Sequence, residues 1–205
     1  QKGWIASGDD FDDPILKTTD GGKNWLEVKT PGLYASWDVF FQDTLLGWVC
    51  GKDGNQGRIC FTTDGGYKWS LSTVPVVSTV NSIYFINKQI GWAATTTGQV
   101  LKSMDGGINW TLADKPTVQI LNDIYFFNDQ IGWVVGSAGV VFKTTNGGGS
   151  WTPQTSNTTD NLASAFFMND QTGWVVGENG TVLKTTNGGA NWAKQTSNTT
   201  NFLKS

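Results

Sequence analysis

The chain has 205 residues, of which 38% are apolar and 15% charged, and it carries a net charge of −3 with no histidine. That length can bury the core of one undivided all-β domain, and 26 glycines with 13% aromatics favour short strands and tight turns over helices. An acidic balance without a basic cluster excludes a nucleic-acid or anionic-membrane surface, no run approaches the roughly 20 apolar residues of a spanning helix, and the missing histidine removes the commonest general base and metal ligand.

The first predicted unit, about residues 1–35, opens inside a pattern that later units complete. Gly3-Trp4 is followed by an acidic loop, Gly8-Asp9-Asp10-Phe11-Asp12-Asp13, then by the turn Thr18-Thr19-Asp20-Gly21-Gly22-Lys23-Asn24-Trp25. Asp9, Asp10, Asp12 and Asp13 offer the clustered carboxylates a hard cation such as calcium requires, although their spacing matches no defined calcium loop and a solvated acidic loop is the preferred reading. No leader is visible, and a chain opening inside a repeat is expected to have lost any it had.

The second unit, about 36–79, follows Tyr34 and starts with Trp37-Asp38. Gly47-Trp48 comes next, then Cys50 and Cys60 flanking an enlarged loop, and the turn from Thr62 through Asp64 to Trp69. Counting the hairpin register places the two cysteines on one sheet face, diagonally offset, which leaves a disulfide or two buried thiols as alternatives. The third unit, about 80–120, carries Asn81 near its start, then Gly91-Trp92, and the turn from Ser103 through Asp105 to Trp110. The fourth, about 121–161, has Asn122-Asp123, Gly132-Trp133 and the turn from Thr144 through Asn146 to Trp151; the fifth, about 162–205, has Gly173-Trp174 and the turn from Thr185 through Asn187 to Trp192.

The turn tryptophans are spaced 44, 41, 41 and 41 residues apart and the Gly-Trp pairs 44, 44, 41 and 41, so two markers define the same five units. Within the fourth unit, strands are predicted at 123–127, 132–136, 140–144 and 150–154, separated by Asn-Asp, Ser-Ala-Gly and Asn-Gly-Gly breaks. Four strands in about 41 residues is the arithmetic of a β-propeller blade, so the expected fold is a single all-β propeller of five four-stranded blades over 1–205.

The turns Thr/Ser-x-Asp/Asn-x-Gly-x-x-Trp resemble the Asp-box or BNR repeat, with Asn in place of Asp at 146 and 187. Together with the preceding Gly-Trp-Val-x-Gly pattern, the chain is similar to the photosystem II stability/assembly factor-like propellers and their secreted bacterial relatives. The resemblance implies structural roles for Asp20, Asp64, Asp105, Asn146 and Asn187 and for Trp25, Trp69, Trp110, Trp151 and Trp192. It also implies a bacterial protein, secreted or on the cell surface. Asp-box sialidases hold a substrate carboxylate with three arginines, whereas Arg58 stands alone here, and the arginine-rich docking surface of the photosystem factors is missing as well.

Aligning the ends on the repeat leaves the counterpart of Ala165–Asp170 absent. The sequence therefore predicts a closing blade that joins the first unit to a strand begun by Phe202-Leu203-Lys204, or else a piece of a longer propeller. An open inner edge in that blade would invite a strand from another chain, hence self-association.

Trp37 and Tyr34, with Asp38, Asn81, Asn122 and Asp123 at matching positions of successive units, are the candidate ligand-binding residues, by stacking and polar contact. The expected function is a non-catalytic, extracellular protein-binding or assembly module. A carbohydrate-binding, lectin-like propeller is the alternative, and a glycoside hydrolase using aspartates ranks third. No enzyme activity and no cofactor apart from the calcium alternative are expected.

Overall fold

The computed structural model describes residues 1–8 and 15–204, so the acidic loop with Asp9, Asp10, Phe11, Asp12 and Asp13 lies outside the described residues. Five antiparallel sheets follow one another along the chain. The first contains β1 (Gly3–Ile5), β2 (Ile15–Thr18) and β3 (Leu26–Val28); the second β4 (Ala35–Phe41), β5 (Gly47–Asp53), β6 (Gln56–Thr62) and β7 (Ser70–Leu71). The third holds β8 (Val80–Phe85), β9 (Gly91–Thr95), β10 (Val100–Ser103) and β11 (Thr111–Asp114), and the fourth β12 (Leu121–Phe126), β13 (Gly132–Gly136), β14 (Val141–Thr144) and β15 (Thr152–Gln154). The fifth is β16 (Leu162–Phe167), β17 (Gly173–Gly177), β18 (Val182–Thr185) and β19 (Ala193–Lys194). Each sheet is an up-and-down meander in sequence order, the architecture of propeller blades.

The chain divides into two compact units, one of Gln1–Ala93 with Leu101–Leu112, the other of Ala94–Val100 with Ala113–Ser205. In the first, Trp48, Ile59, Ile83, Phe85 and Leu101 form one buried cluster and Ile15, Val49, Cys60 and Trp69 another. In the second, Trp133, Val135, Leu162, Phe167, Val175, Leu183 and Trp192 form the core.

One aromatic arrangement recurs. The Gly-Trp tryptophan lies flat on the phenylalanine ending the next inner strand: Trp4 on Phe41 at 3.6 Å, Trp48 on Phe85 at 3.6 Å and Trp133 on Phe167 at 3.5 Å, with interplanar angles of 9–13°. The turn tryptophan meets the phenylalanine of its own sheet edge-on, as in Phe85–Trp110 at 87° and Phe167–Trp192 at 82°. One ring face and one ring edge are thereby both satisfied by the aromatic quadrupole. The Trp48 indole N–H also donates to the Gly106 carbonyl, 58 residues away, at 2.8 Å.

The turns between third and fourth strands explain the repeated residues. The Thr18 hydroxyl donates to Asp20 Oδ1 at 2.8 Å and accepts the Gly22 N–H at 3.0 Å, while Asp20 accepts the Asn24 backbone N–H at 3.0 Å. Asn146 reproduces this with its amide oxygen, taking the Thr144 hydroxyl and the Ser150 N–H. Donors that the hairpin leaves without a ladder partner are satisfied locally.

Two expectations are corrected. Val49 pairs with Cys60 and Cys50 with Ile59, so the cysteines point to opposite faces of the sheet and both thiols are free. β5 and β6 pair as the corresponding strands of the other sheets do, Gly47 opposite Thr62 as Gly132 is opposite Thr144, and that register carried on to positions 50 and 60 puts the cysteines on opposite faces. Phe202, Leu203 and Lys204 form no strand; the Leu203 N–H donates to the Gly177 carbonyl, and the first sheet has three strands among the described residues.

Candidate functional site

The candidate site is built at the start of β4. The β4–β5 ladder shifts register between Ser36 and Asp38, leaving Trp37 as the extra residue of a β-bulge. Matching shifts occur between Leu121 and Asp123 and between Leu162 and Ser164, so Asn122 and Ala163 hold the equivalent bulge positions. A bulge turns its side chain out of the alternation of the strand, and at Trp37 it presents an indole to solvent. Tyr34, exposed three residues earlier, is anchored by its N–H donating to the Lys52 carbonyl at 2.8 Å. The Lys52 ammonium stands 5.9 Å from the centre of the Trp37 ring, and the Gly8 N–H donates to the Ser36 carbonyl at 2.8 Å. The result is two exposed aromatic residues three positions apart, with a cation over the ring of Trp37.

The polar candidates have a different employment. Asp38 Oδ2 accepts the Ile83 N–H at 2.9 Å and the Ser82 hydroxyl at 3.2 Å, so it clamps β4 to β8. Asp123 does the same between β12 and β16, accepting the Ala165 N–H at 2.8 Å and the Ser164 hydroxyl at 3.0 Å. Asn122 donates its side-chain amide to the Leu162 carbonyl at 2.8 Å, and Asn81 is half-buried on β8. Of the six residues predicted to bind a ligand, the structure thus brings Tyr34 and Trp37 to the surface together and puts Asp38, Asp123 and Asn122 to work between strands. Lys52 and Gly8, which complete the aromatic patch, carry no sequence signal; only the strand register brings them there.

Ionisation follows the same division. Hydrogen bonds from the Asn24 backbone and side chain hold the Asp20 carboxyl down to about 2. Burial raises the Cys60 thiol to about 12 and pushes Cys50 well up, with the charge of Asp38 adding to the latter. Neither thiol is a nucleophile at neutral pH. Arg58 is paired with Asp53 at 3.5 Å. No cluster of three or more metal-ligating side chains exists among the described residues.

Comparison with known proteins places this geometry. Residues 109–200 match the model of the photosynthesis system II assembly factor YCF48 family. No curated protein matches the chain in sequence. YCF48 from Cyanidioschyzon merolae superposes with a TM-score of 0.70 at 18% identity, covering 95% of this chain and 69% of that one. A structure described as YCF48 bound to D1 peptide gives 0.68 at 19% identity, covering 95% and 63%. The GH74 enzyme of Niastella koreensis gives 0.74 at 17% identity, covering 93% of this chain but 36% of its own. The chain therefore spans about two thirds of the YCF48 chains and about a third of the glycosidase. With that family's model matching residues 109–200 and the same fold over nearly all its length, this chain is a β-propeller whose repeats are similar to the BNR type.

Proposed function

We propose that this chain is a non-catalytic protein-binding or assembly module that receives a polypeptide segment on the surface formed by Tyr34, Trp37 and Lys52. The observation that carries the reading is the bulged, exposed Trp37 three residues after an exposed Tyr34, amphipathic side chains of the kind that anchor interfaces. The likeness to a YCF48 structure bound to a D1 peptide supports a protein partner. The engagement of Asp38 and Asp123 as strand clamps argues against a carboxylate pair for glycoside hydrolysis, because both are turned toward protein donors. Sparse charge and Thr/Asn-rich turns support a secreted or cell-surface setting, to be checked by fractionation of the source cells.

The test is retention of partners from the source cells, followed by peptide-array mapping, with wild type, Trp37→Ala and Tyr34→Ala. The expected result is at least a tenfold loss of binding in both variants with unchanged melting temperatures, since both side chains are exposed. Equal binding by the variants, binding of a glycan array in place of protein, or turnover of aryl glycosides would overturn the reading.

A further inference from the structure

Four Asn-x-Thr triplets occur in the chain: Asn109-Trp110-Thr111, Asn157-Thr158-Thr159, Asn179-Gly180-Thr181 and Asn198-Thr199-Thr200. This is the pattern that accepts an N-linked glycan in exported proteins. The structure sorts the four by what their amides and hydroxyls already do. The Asn109 side-chain amide donates to Asp105 Oδ2 at 2.8 Å, inside the third of the repeated turns, and the Thr111 hydroxyl donates to the Lys102 carbonyl at 3.2 Å. The Asn179 amide donates to Asp160 Oδ1 at 2.8 Å, and the buried Thr181 hydroxyl donates to Oδ2 of the same carboxylate at 2.6 Å. A sugar carried on either nitrogen would crowd the carboxylate to which it is now bonded.

Asn157 and Asn198 are placed differently. They follow β15 and β19, the last strands of the fourth and fifth sheets, and both belong to the same compact unit. Each adopts a left-handed backbone, with φ of 60° and 56°. The preceding serine fixes the turn: Ser156 Oγ accepts the Thr158 N–H at 3.4 Å and Ser197 Oγ the Thr199 N–H at 3.5 Å. Both asparagines are exposed, as are Thr159 and Thr200, and among the described residues no hydrogen bond occupies the side chains of these four. An open groove lies against each asparagine, of about 740 Å³ beside Asn157, with Phe142, Pro153 and Ser156 in its wall, and of about 660 Å³ beside Asn198, with Lys194, Gln195 and Thr196. The amide nitrogen, the hydroxyl two residues on and the space for a first sugar therefore coincide at these two positions.

We propose that Asn157 and Asn198 are acceptors for N-linked glycans and that Asn109 and Asn179 are not. The donor is an oligosaccharide joined through phosphate to a lipid, brought by a transferase of the export route. The asparagine Nδ2 forms a bond to the anomeric carbon as the bond from that carbon to the phosphate oxygen breaks. The amide gives up one proton, and the lipid phosphate leaves with the electron pair. Each glycan then stands beside the outermost strand of its sheet, where a bulky solvated group keeps a second chain from adding to the edge. The inference rests on the secreted or cell-surface setting proposed above and makes no use of Tyr34, Trp37 or Lys52.

The test is peptide mapping of the protein from fractionated source cells, by mass spectrometry with a fragmentation that leaves glycans on their side chains. Sugar mass is expected on Asn157 and Asn198, with Asn109 and Asn179 bare. Thr159→Ala should abolish the modification at Asn157 and leave Asn198 occupied, Thr200→Ala should do the reverse, and Thr159→Ser should retain it. Both threonines are exposed, so none of these variants should melt differently from the unmodified wild type. An exported protein bare at Asn157 and Asn198 would overturn the proposal and leave the secreted or cell-surface setting standing, whereas a bare protein retained inside the cell would overturn both. Sugar on Asn109 or Asn179, or a modification at Asn157 that survives Thr159→Ala, would overturn the sorting of the four triplets.

Discussion

At Thr144 a single buried hydroxyl holds a turn together. It donates to Asn146 and accepts the N–H groups of Asn146 and Gly148, the latter at 3.0 Å and buried. Thr144→Val keeps the shape but strands those donors, and should cost about 1–3 kcal/mol, measured as a lower midpoint in urea. Thr144→Ser keeps the oxygen and should cost less. The cysteines make a second residue-scale prediction. With both thiols buried and held protonated well above neutral pH, neither should react with a maleimide in the native protein at pH 7, and both should react once the chain is unfolded. Rapid native modification of either would contradict their placement in the two separate clusters.

The repeated element is the Gly-Trp strand with the inner strand that covers it. Gly132→Ala drives a methyl into the Phe126 ring, which is itself buried and braced edge-on by Trp151, so the strain has no outlet. An overpacking cost of about 1–3 kcal/mol is expected from the thermal midpoint. The blades were legible in the sequence because their markers are local: a turn whose Thr, Asp or Asn and Gly bond within five residues announces itself at each recurrence. The equivalence of Trp37, Asn122 and Ala163 was legible too, since they align by period, but the bulge they share shows only in the paired strands. What the sequence hid depends on partners far along the chain. Asp38 finds its acceptor role 45 residues on at Ile83, and Asn122 its carbonyl 40 residues on at Leu162, so both read as free polar groups until the strands are assembled. The cysteine faces were legible in principle, since Gly47 lies opposite Thr62 as Gly132 lies opposite Thr144, and the misreading is a slip of one position in carrying that register to Cys50 and Cys60.

Over the whole molecule the five turns differ in one chemical respect, and it sorts them between the two compact units. Asp20, Asp64 and Asp105 belong to the first unit, Asn146 and Asn187 to the second. The backbone N–H of Asn24 does most to hold Asp20 down to about 2, and that of Lys68 does most to lower Asp64. Burial works against Asp105, yet the bonds from Asn109 and Ser103 outweigh it and keep it low as well. A carboxylate near 3.9 when unfolded and lower when folded stabilises the fold above that value, and the contribution fades as pH falls through the folded one. For Asp20 the window thus runs from about pH 4 down to about 2, and for Asp64 and Asp105 it lies below the ordinary carboxylate value, where protonation removes acceptor capacity from their turns. The amide oxygens of Asn146 and Asn187 do not titrate there, although Asp160, also held low by Thr181 and Asn179, gives the second unit an acid-sensitive contact elsewhere. Amide NMR between pH 5 and 2 should show the Asn24, Lys68 and Asn109 N–H resonances moving with midpoints below 3.8, while those of Ser150 and Asn191 stay still. Asn146→Asp should import the same titration into the fourth turn, leaving its geometry unchanged at neutral pH. Uniform movement of all five turns, or none, would show that the carboxylates are not the acceptors that set the acid response.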